Sequence, residues 1–343
     1  MLVERLTAQL LAGERADDAV GVAERLLAVQ AQDPRGARLA VRARATTGTA
    51  VDVDRALTEE RTLLVSWLNR GTLHLVRRED YPWLHALTAP RLMRGNARRL
   101  ADEGVSAGTA DRAVRIIERA LIRDGALTRA QLSHEIDAGG VKLQGQGMVH
   151  VLLLASLQGL IVRGPVVDRQ QAFVLVRDWL GTQAPVDRDR ALAELARRYL
   201  AGHGPAQDRD LARWSGLSLR DARAGLAAIA GELRERPDGL LDLGGRTASG
   251  SLPAPVLLGA FDPLLLGWDG RDWVLGAHRQ EIVLGGIFRP FALVDGRAAA
   301  TWSVRAGELI LKPFAKLRSA DRAALAADGE EVKRHMGRRL PRT

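Results

Sequence analysis

Gln30 and Gln32 flank a single alanine and are followed at once by Asp33 and Pro34. A primary amide offers one carbonyl acceptor and two N–H donors and carries no charge. Two such amides can hold a water or a sugar oxygen without repelling a cationic substrate. They cannot act as a strong general base, so the chemistry open to them is positioning and dipolar stabilisation. Residues at i and i+2 share a side only where the backbone is extended or turning. The plain alternative is a polar helix end.

The elements that must position this stretch are legible in the apolar spacing. Val20, Ala23, Leu26 and Leu27 fall on one face of a helix expected over residues 17–29. Pro34 is expected to stop that helix, because a residue before proline is pushed out of the α region. Helices are also expected over 2–11, 37–44 and 53–59. Residues 63–76 turn β-like, broken at Asn69-Arg70-Gly71. Within that hairpin Thr72 and His74 sit at i and i+2 on a strand, so both point to one face. Arg70 and Gly71 occupy the break, where backbone can approach DNA closely. Two further helices, 78–88 and 89–102, are expected to be split by Pro90. On the second, Arg91, Arg94 and Arg98 are spaced for one face and could contact phosphates; the alternative is a solvated face.

The order helices-then-hairpin recurs. Residues 110–123, 128–138 and 147–158 read as helices, followed by a hairpin over 160–176. A third copy runs from residue 187, with Asp210-Leu211-Ala212-Arg213-Trp214-Ser215-Gly216-Leu217-Ser218 as a helix-turn-helix signal: glycine in the turn, serine capping the next helix. Residues 232–244 supply its wing. After a linker at 246–255 the chain becomes β-rich, with short apolar runs at 256–258, 264–266, 273–275, 281–284, 291–294, 299–304 and 309–311, and an Asp295-Gly296 hairpin turn. A barrel-like sheet is expected there, closed by a helix over 319–334 and a basic tail from 337 to 343. The expected fold is therefore mainly α with β wings (α+β). It comprises winged-helix modules over 1–105, 106–184 and 185–250 and a β-rich domain over 251–343.

The 343 residues carry a formal charge of +9, which favours an acidic partner, nucleic acid first. Lysine occurs only at 142, 312, 316 and 333, so the basic charge is nearly all arginine. GC-rich codon usage alone would also produce that excess. With no cysteine, disulfides, thiolate nucleophiles and zinc fingers are excluded. The seven histidines are scattered without metal-ligand spacing, and there is no Walker-type loop or nucleophile elbow. The start does not resemble a signal peptide, and the longest apolar run, 148–157, is short of a membrane span. The expectation is a cytoplasmic, nucleoid-associated protein.

The run Leu26-Leu27-Ala28-Val29-Gln30-Ala31-Gln32-Asp33-Pro34 is joined, in order, by Arg70-Gly71-Thr72-Leu73-His74-Leu75-Val76 and His203-Gly204-Pro205-Ala206. Ala260-Phe261-Asp262-Pro263-Leu264-Leu265-Leu266-Gly267 and Gly285-Gly286-Ile287-Phe288-Arg289-Pro290 follow. Together they resemble the bacterial AlkZ-like family, winged-helix proteins that include DNA glycosylases. The resemblance covers nearly the whole chain. It implies that Gln30 and Gln32 carry base excision, and that the substrates are bulky alkyl adducts at guanine N7 and related cross-links. Separately, the charge and spacing lead us to expect that Arg35, Arg70, Thr72, His74, Arg91, Arg94 and Arg98 face DNA. Some relatives carry a paired-histidine hairpin motif, and no His-x-His occurs here. The expected partner is double-stranded DNA, bound by a monomer without cofactor or metal. A non-catalytic winged-helix regulator is the alternative from another class, and a structural scaffold a third.

Overall fold

Two local events shape the glutamine segment in the computed structural model, which describes residues 1–168, 170–246 and 251–337. After α1 (Leu2–Ala8), α2 (Ala19–Leu26) is capped by the Asp18 side chain and stops at Leu27, whose φ of 64° is left-handed. A two-residue strand β1 (Val29–Gln30) follows. Pro34 then opens α3 (Pro34–Arg42) instead of ending α2. Proline is pre-set for the first helical position, where its missing N–H costs nothing, and Asp33 caps the new helix by accepting from the Arg35 N–H. The helix expected over 17–29 is thus shorter, and the glutamines lie on an extended link between two helices. Next come α4 (Ala50–Thr58) and the strands β2 (Leu63–Leu68) and β3 (Thr72–Arg77).

The chain packs as two units: residues 1–53 with 192–343, and residues 54–191. The first expected module, 1–105, straddles that division. In the second unit β2 and β3 pair antiparallel, with Ser66 opposite His74 and Leu68 opposite Thr72. Asn69 at φ 53° and Gly71 at φ 84° make the turn. The α5 helix (Tyr81–Asp102) is continuous through Pro90, where two helices were expected. Its buried face, with Leu84, Leu87 and Leu100, outweighs the hydrogen bond that proline removes. Then follow α6 (Ala107–Asp124), α7 (Arg129–Ala138), α8 (Gly147–Leu157), β4 (Ile161–Val167), β5 (Gln170–Leu175) and α9 (Val176–Leu180). Thr128 and Gln131 form a reciprocal capping box at α7. Within this unit the strands run in the order β3-β2-β4-β5.

The first unit resumes along α10 (Arg188–His203), then α11 (Asp208–Ser215) and α12 (Leu219–Ala228). The turn between the last two is built as expected. Gly216 ends α11 at φ 72°, and Ser218 caps α12 by accepting from the Asp221 N–H. The strands β6 (Leu233–Glu235) and β7 (Leu241–Leu243) form the small hairpin after it.

The C-terminal segment departs from the expected run of strands. After β8 (Val256–Leu258), residues 263–265 form a 3-10 turn, because Pro263 is pre-set for a helical start and Asp262 caps it. Residues 273–275 belong to α13 (Asp272–Leu275), and 281–282 to α14 (Arg279–Ile282). Short apolar runs do not distinguish strand from buried helix by period alone. The remaining elements are β9 (Val283–Leu284), β10 (Ile287–Phe288), β11 (Phe291–Val294), β12 (Arg297–Arg305), β13 (Glu308–Pro313) and α15 (Ser319–Gly337). In place of a barrel, an antiparallel sheet of order β13-β12-β11-β8 stays open. Leu325 and Val332 of α15 and Leu39 of α3 pack with its residues Leu257, Ala292 and Trp302. Most of the expected basic tail lies outside the described residues.

Candidate active site

The glutamine segment is held from both ends. Arg42 on α3 donates to both carboxylate oxygens of Asp328, at 2.7 and 3.0 Å, and to the Leu257 carbonyl at 2.9 Å. Asp328 also accepts from the Leu257 N–H, so α3, β8 and α15 are tied at one carboxylate. Two residues on, Arg44 and Asp262 form a fully buried pair of parallel hydrogen bonds, 2.6 and 2.9 Å. Such a pair is weak evidence of net stability, but it fixes geometry because neither partner tolerates loss of the other. Arg44 also reaches Gln9, whose amide donates to the Gly202 carbonyl at 2.7 Å.

That fixed geometry brings the sequence-distant motifs onto the two helices that flank the glutamine segment. A Cβ on Gly36 would lie 2.3 Å from the Ala260 carbonyl oxygen and 3.3 Å from Asp33 Oδ2. One on Gly259 would lie 3.1 Å from Gly36 Cα. Only glycines allow residues 259–261 to cross the first turn of α3 this closely. At the other end, a Cβ on Gly202 would meet the Arg25 carbonyl at 2.5 Å, so the end of α10 sits on the end of α2. His203 is buried there, its ring stacked on Tyr199 at 4.8 Å and near Trp214 and Trp268. Burial pushes its pKa down to about 3, so it is a neutral packing residue whose Nδ1–H donates to the Tyr199 carbonyl.

The two glutamines are not equivalent. Gln30 is 7% exposed, and its carbonyl oxygen is buried with no hydrogen-bond partner among the described residues. Gln32, at a bend before the α3 cap, is exposed. An unpaired buried carbonyl costs about 1–3 kcal/mol, and such costs persist where function needs them. Asp33 is the helix cap, one of its oxygens committed to the Arg35 N–H at 3.0 Å.

The expected DNA-facing residues divide. Arg35 is exposed at the start of α3. Arg91, Arg94 and Arg98 are exposed on α5, and none makes an ion pair among the described residues. Arg70 is half-buried at the hairpin turn. His74 is a correction: it is 4% exposed, packed in the sheet instead of lining an open groove. Its Nδ1–H donates to the Thr72 carbonyl at 2.8 Å. Burial first, and then the Arg70 charge, push its pKa down to about 3, against that hydrogen bond. In a strand whose face is covered, two residues at i and i+2 are buried together, and Thr72 is half-buried beside it. The sequence placed both on one face; it carried no signal for whether that face is open. The crossing of α3 by residues 259–261 was likewise hidden by more than 200 residues of separation, with Gly36 and Gly259 the only trace.

The described residues contain no cluster of three or more metal-ligating side chains and no helix long and apolar enough to cross a membrane. The layout is that of a mixed α+β protein in which neutral amides lie on an extended link between two helices. Comparison with known proteins then fixes the class. Residues 23–335 match the family described as DNA glycosylase AlkZ-like, and the chain belongs to it. It is thus of a family of hydrolases acting on N-glycosyl bonds in DNA. Among relatives, an interstrand DNA cross-link repair glycosylase of Streptomyces sahachiroi is 28% identical, covering 98% of this chain and 96% of its own. The solved structure of Streptomyces sahachiroi DNA glycosylase AlkZ aligns with TM-score 0.78 and 26% identity, over 99% of this chain and 97% of that one.

Proposed function

We propose that this chain is a monofunctional DNA glycosylase that hydrolyses the N-glycosidic bond of alkylated purines. Its substrates are bulky N7-guanine adducts and, as the name of the Streptomyces sahachiroi relative suggests, interstrand cross-links. Gln30 and Gln32 are its catalytic residues. The observation that carries this reading is the buried, unpartnered carbonyl oxygen of Gln30, two residues from the exposed amide of Gln32.

Alkylation at N7 makes guanine cationic and a good leaving group. The C1′–N9 bond breaks, its electron pair leaves with the base, and positive character develops on the deoxyribose. A desolvated carbonyl dipole held toward that charge needs no reorganisation to meet it. Gln32, open to solvent, orients the water whose oxygen bonds to C1′, and the water's surplus proton passes to solvent. Positioning contributes the rest of the acceleration. DNA is bound as a duplex by a monomer built of tandem winged helices, with Arg35, Arg70, Arg91, Arg94 and Arg98 on phosphates. Thr72 and the neutral His74 shape the hairpin that presents Arg70. The test is direct: duplex DNA bearing N7-alkylguanine is incubated with the protein, and released base is measured. No release at any protein concentration refutes the reading.

A further inference from the structure

Phe261 holds a φ of 56°. For a bulky residue that region is a genuine outlier, kept only where surrounding structure over-determines it. The surroundings here do. Gly259 and Ala260 are pressed against α3, while Asp262 is clamped by Arg44 and caps the next turn. The strained turn leaves the Phe261 ring half-exposed, although residues 256–259 before it and 262–268 after it are buried. A relaxed backbone could have sent this ring inward with its neighbours.

Phe261 is not alone. Its ring centroid lies 5.6 Å from that of Phe288, also half-exposed, on β10. The Arg271 guanidinium sits over the Phe288 ring at 5.2 Å and is anchored by its Nε–H to the Leu265 carbonyl at 2.5 Å. A cation thus lies over one ring, and a second ring is tilted at 49° against the first, at the protein surface. The open end is Phe261, the residue after the carbonyl that touches the first turn of α3, three residues beyond Asp33.

We propose that Phe261 and Phe288, backed by Arg271, form a stacking platform for the alkylated purine of the substrate beside the Gln30–Gln32 segment. This rests on the glycosylase reading above. Every base has a π face, and aromatic side chains that stack bases contribute about 1–3 kcal/mol per base. A purine alkylated at N7 is cationic, and a cation over an aromatic face gains further from the ring quadrupole. The platform therefore selects the damaged base over its neutral parent, a discrimination that two uncharged amides do not supply.

The experiment is single-turnover release of N7-methylguanine from a duplex by the full chain and by F261G, F261L, F261Y and F288L. Glycine adopts φ 56° without strain, so F261G removes the ring while relaxing the fold. F261G and F261L should each slow release about tenfold or more, with affinity for undamaged duplex unchanged. F261Y should recover the loss seen with F261L, and F288L should show a smaller loss. Release by F261G at the wild-type rate overturns the platform, as does F261L matching wild type, since an apolar filler would then suffice. A wild-type chain that releases no base refutes the glycosylase reading itself, a separate result obtained before any variant is compared.

Discussion

Truncating Gln30 to alanine should remove activity without removing stability, and the two effects can be worked separately. Gln30 is 7% exposed, and its carbonyl oxygen has no partner among the described residues. Loss of one methylene from packing costs about 0.8 kcal/mol. Removing a buried carbonyl that nothing satisfies returns about 1–3 kcal/mol. The net lies near zero or favours the variant, so the thermal midpoint should move by no more than about 4 °C. Gln30→Leu, which keeps more of the volume, should be the more stable of the two. Catalysis behaves differently, because one positioned dipole at a developing charge is worth about 10²–10³ in rate. The assay is single-turnover release of an N7-alkylated guanine, paired with a melting curve for each variant and with duplex affinity, which should not change because no charge is lost. Either of two results refutes the reasoning. One is a Gln30→Ala chain that excises at the wild-type rate. The other is a midpoint lowered by about 10 °C or more, which would make Gln30 a packing residue whose loss of activity is only loss of fold.

Three other expectations follow from the same structure. Replacing Arg91, Arg94 and Arg98 together by glutamine should flatten the dependence of log duplex affinity on log salt by about 0.9 for each phosphate no longer neutralised; an unchanged slope would place DNA elsewhere. Asp262→Ala leaves Arg44 buried without its counter-charge and should destabilise the chain by about 3–5 kcal/mol, read by urea unfolding; a loss under about 1 kcal/mol would show that the pair is dispensable. His74 and His203 have folded pKa values of about 3 against 6.5 unfolded. The unfolded chain therefore binds more protons between those values, and stability is complete above pH 6.5 and falls as pH drops toward 3. Each should remove about 2 kcal/mol by pH 5, and His74→Phe should lessen the acid sensitivity measured by urea unfolding; unaltered sensitivity would show that His74 is already charged in the folded state.

How much of this was legible beforehand depends on the range of the interaction involved. Asp210 to Ser218 announced a helix-turn-helix because cap and turn residues act within a few positions, and Gly216 and Ser218 do what their chemistry requires. Asp33-Pro34 is equally local, yet it was open to two meanings: a proline ends one helix or begins the next. Leu27 decided between them by taking a left-handed φ that no leucine advertises. Pro90 shows the converse, a local breaker overridden by tertiary burial of α5. The glutamine pair itself was visible as chemistry, but its asymmetry was not. Whether an amide is buried depends on packing that only the folded chain reveals, as it alone reveals the crossing of the α3 turn by residues 259–261. That asymmetry matters more than the motif. Two solvated amides would each exchange protein for water at little gain, and neither would face a developing charge better than water does. In the proposed mechanism, one desolvated carbonyl beside one exposed amide divides the work, the first holding a fixed dipole and the second admitting the nucleophile. On this division the two alanine variants should differ in kind. Gln30→Ala should be slow however much time is given for water to enter, whereas Gln32→Ala should be partly rescued by a small nucleophile such as azide, whose attack needs no orienting amide. Equal rescue of both would mean that the glutamines share one role.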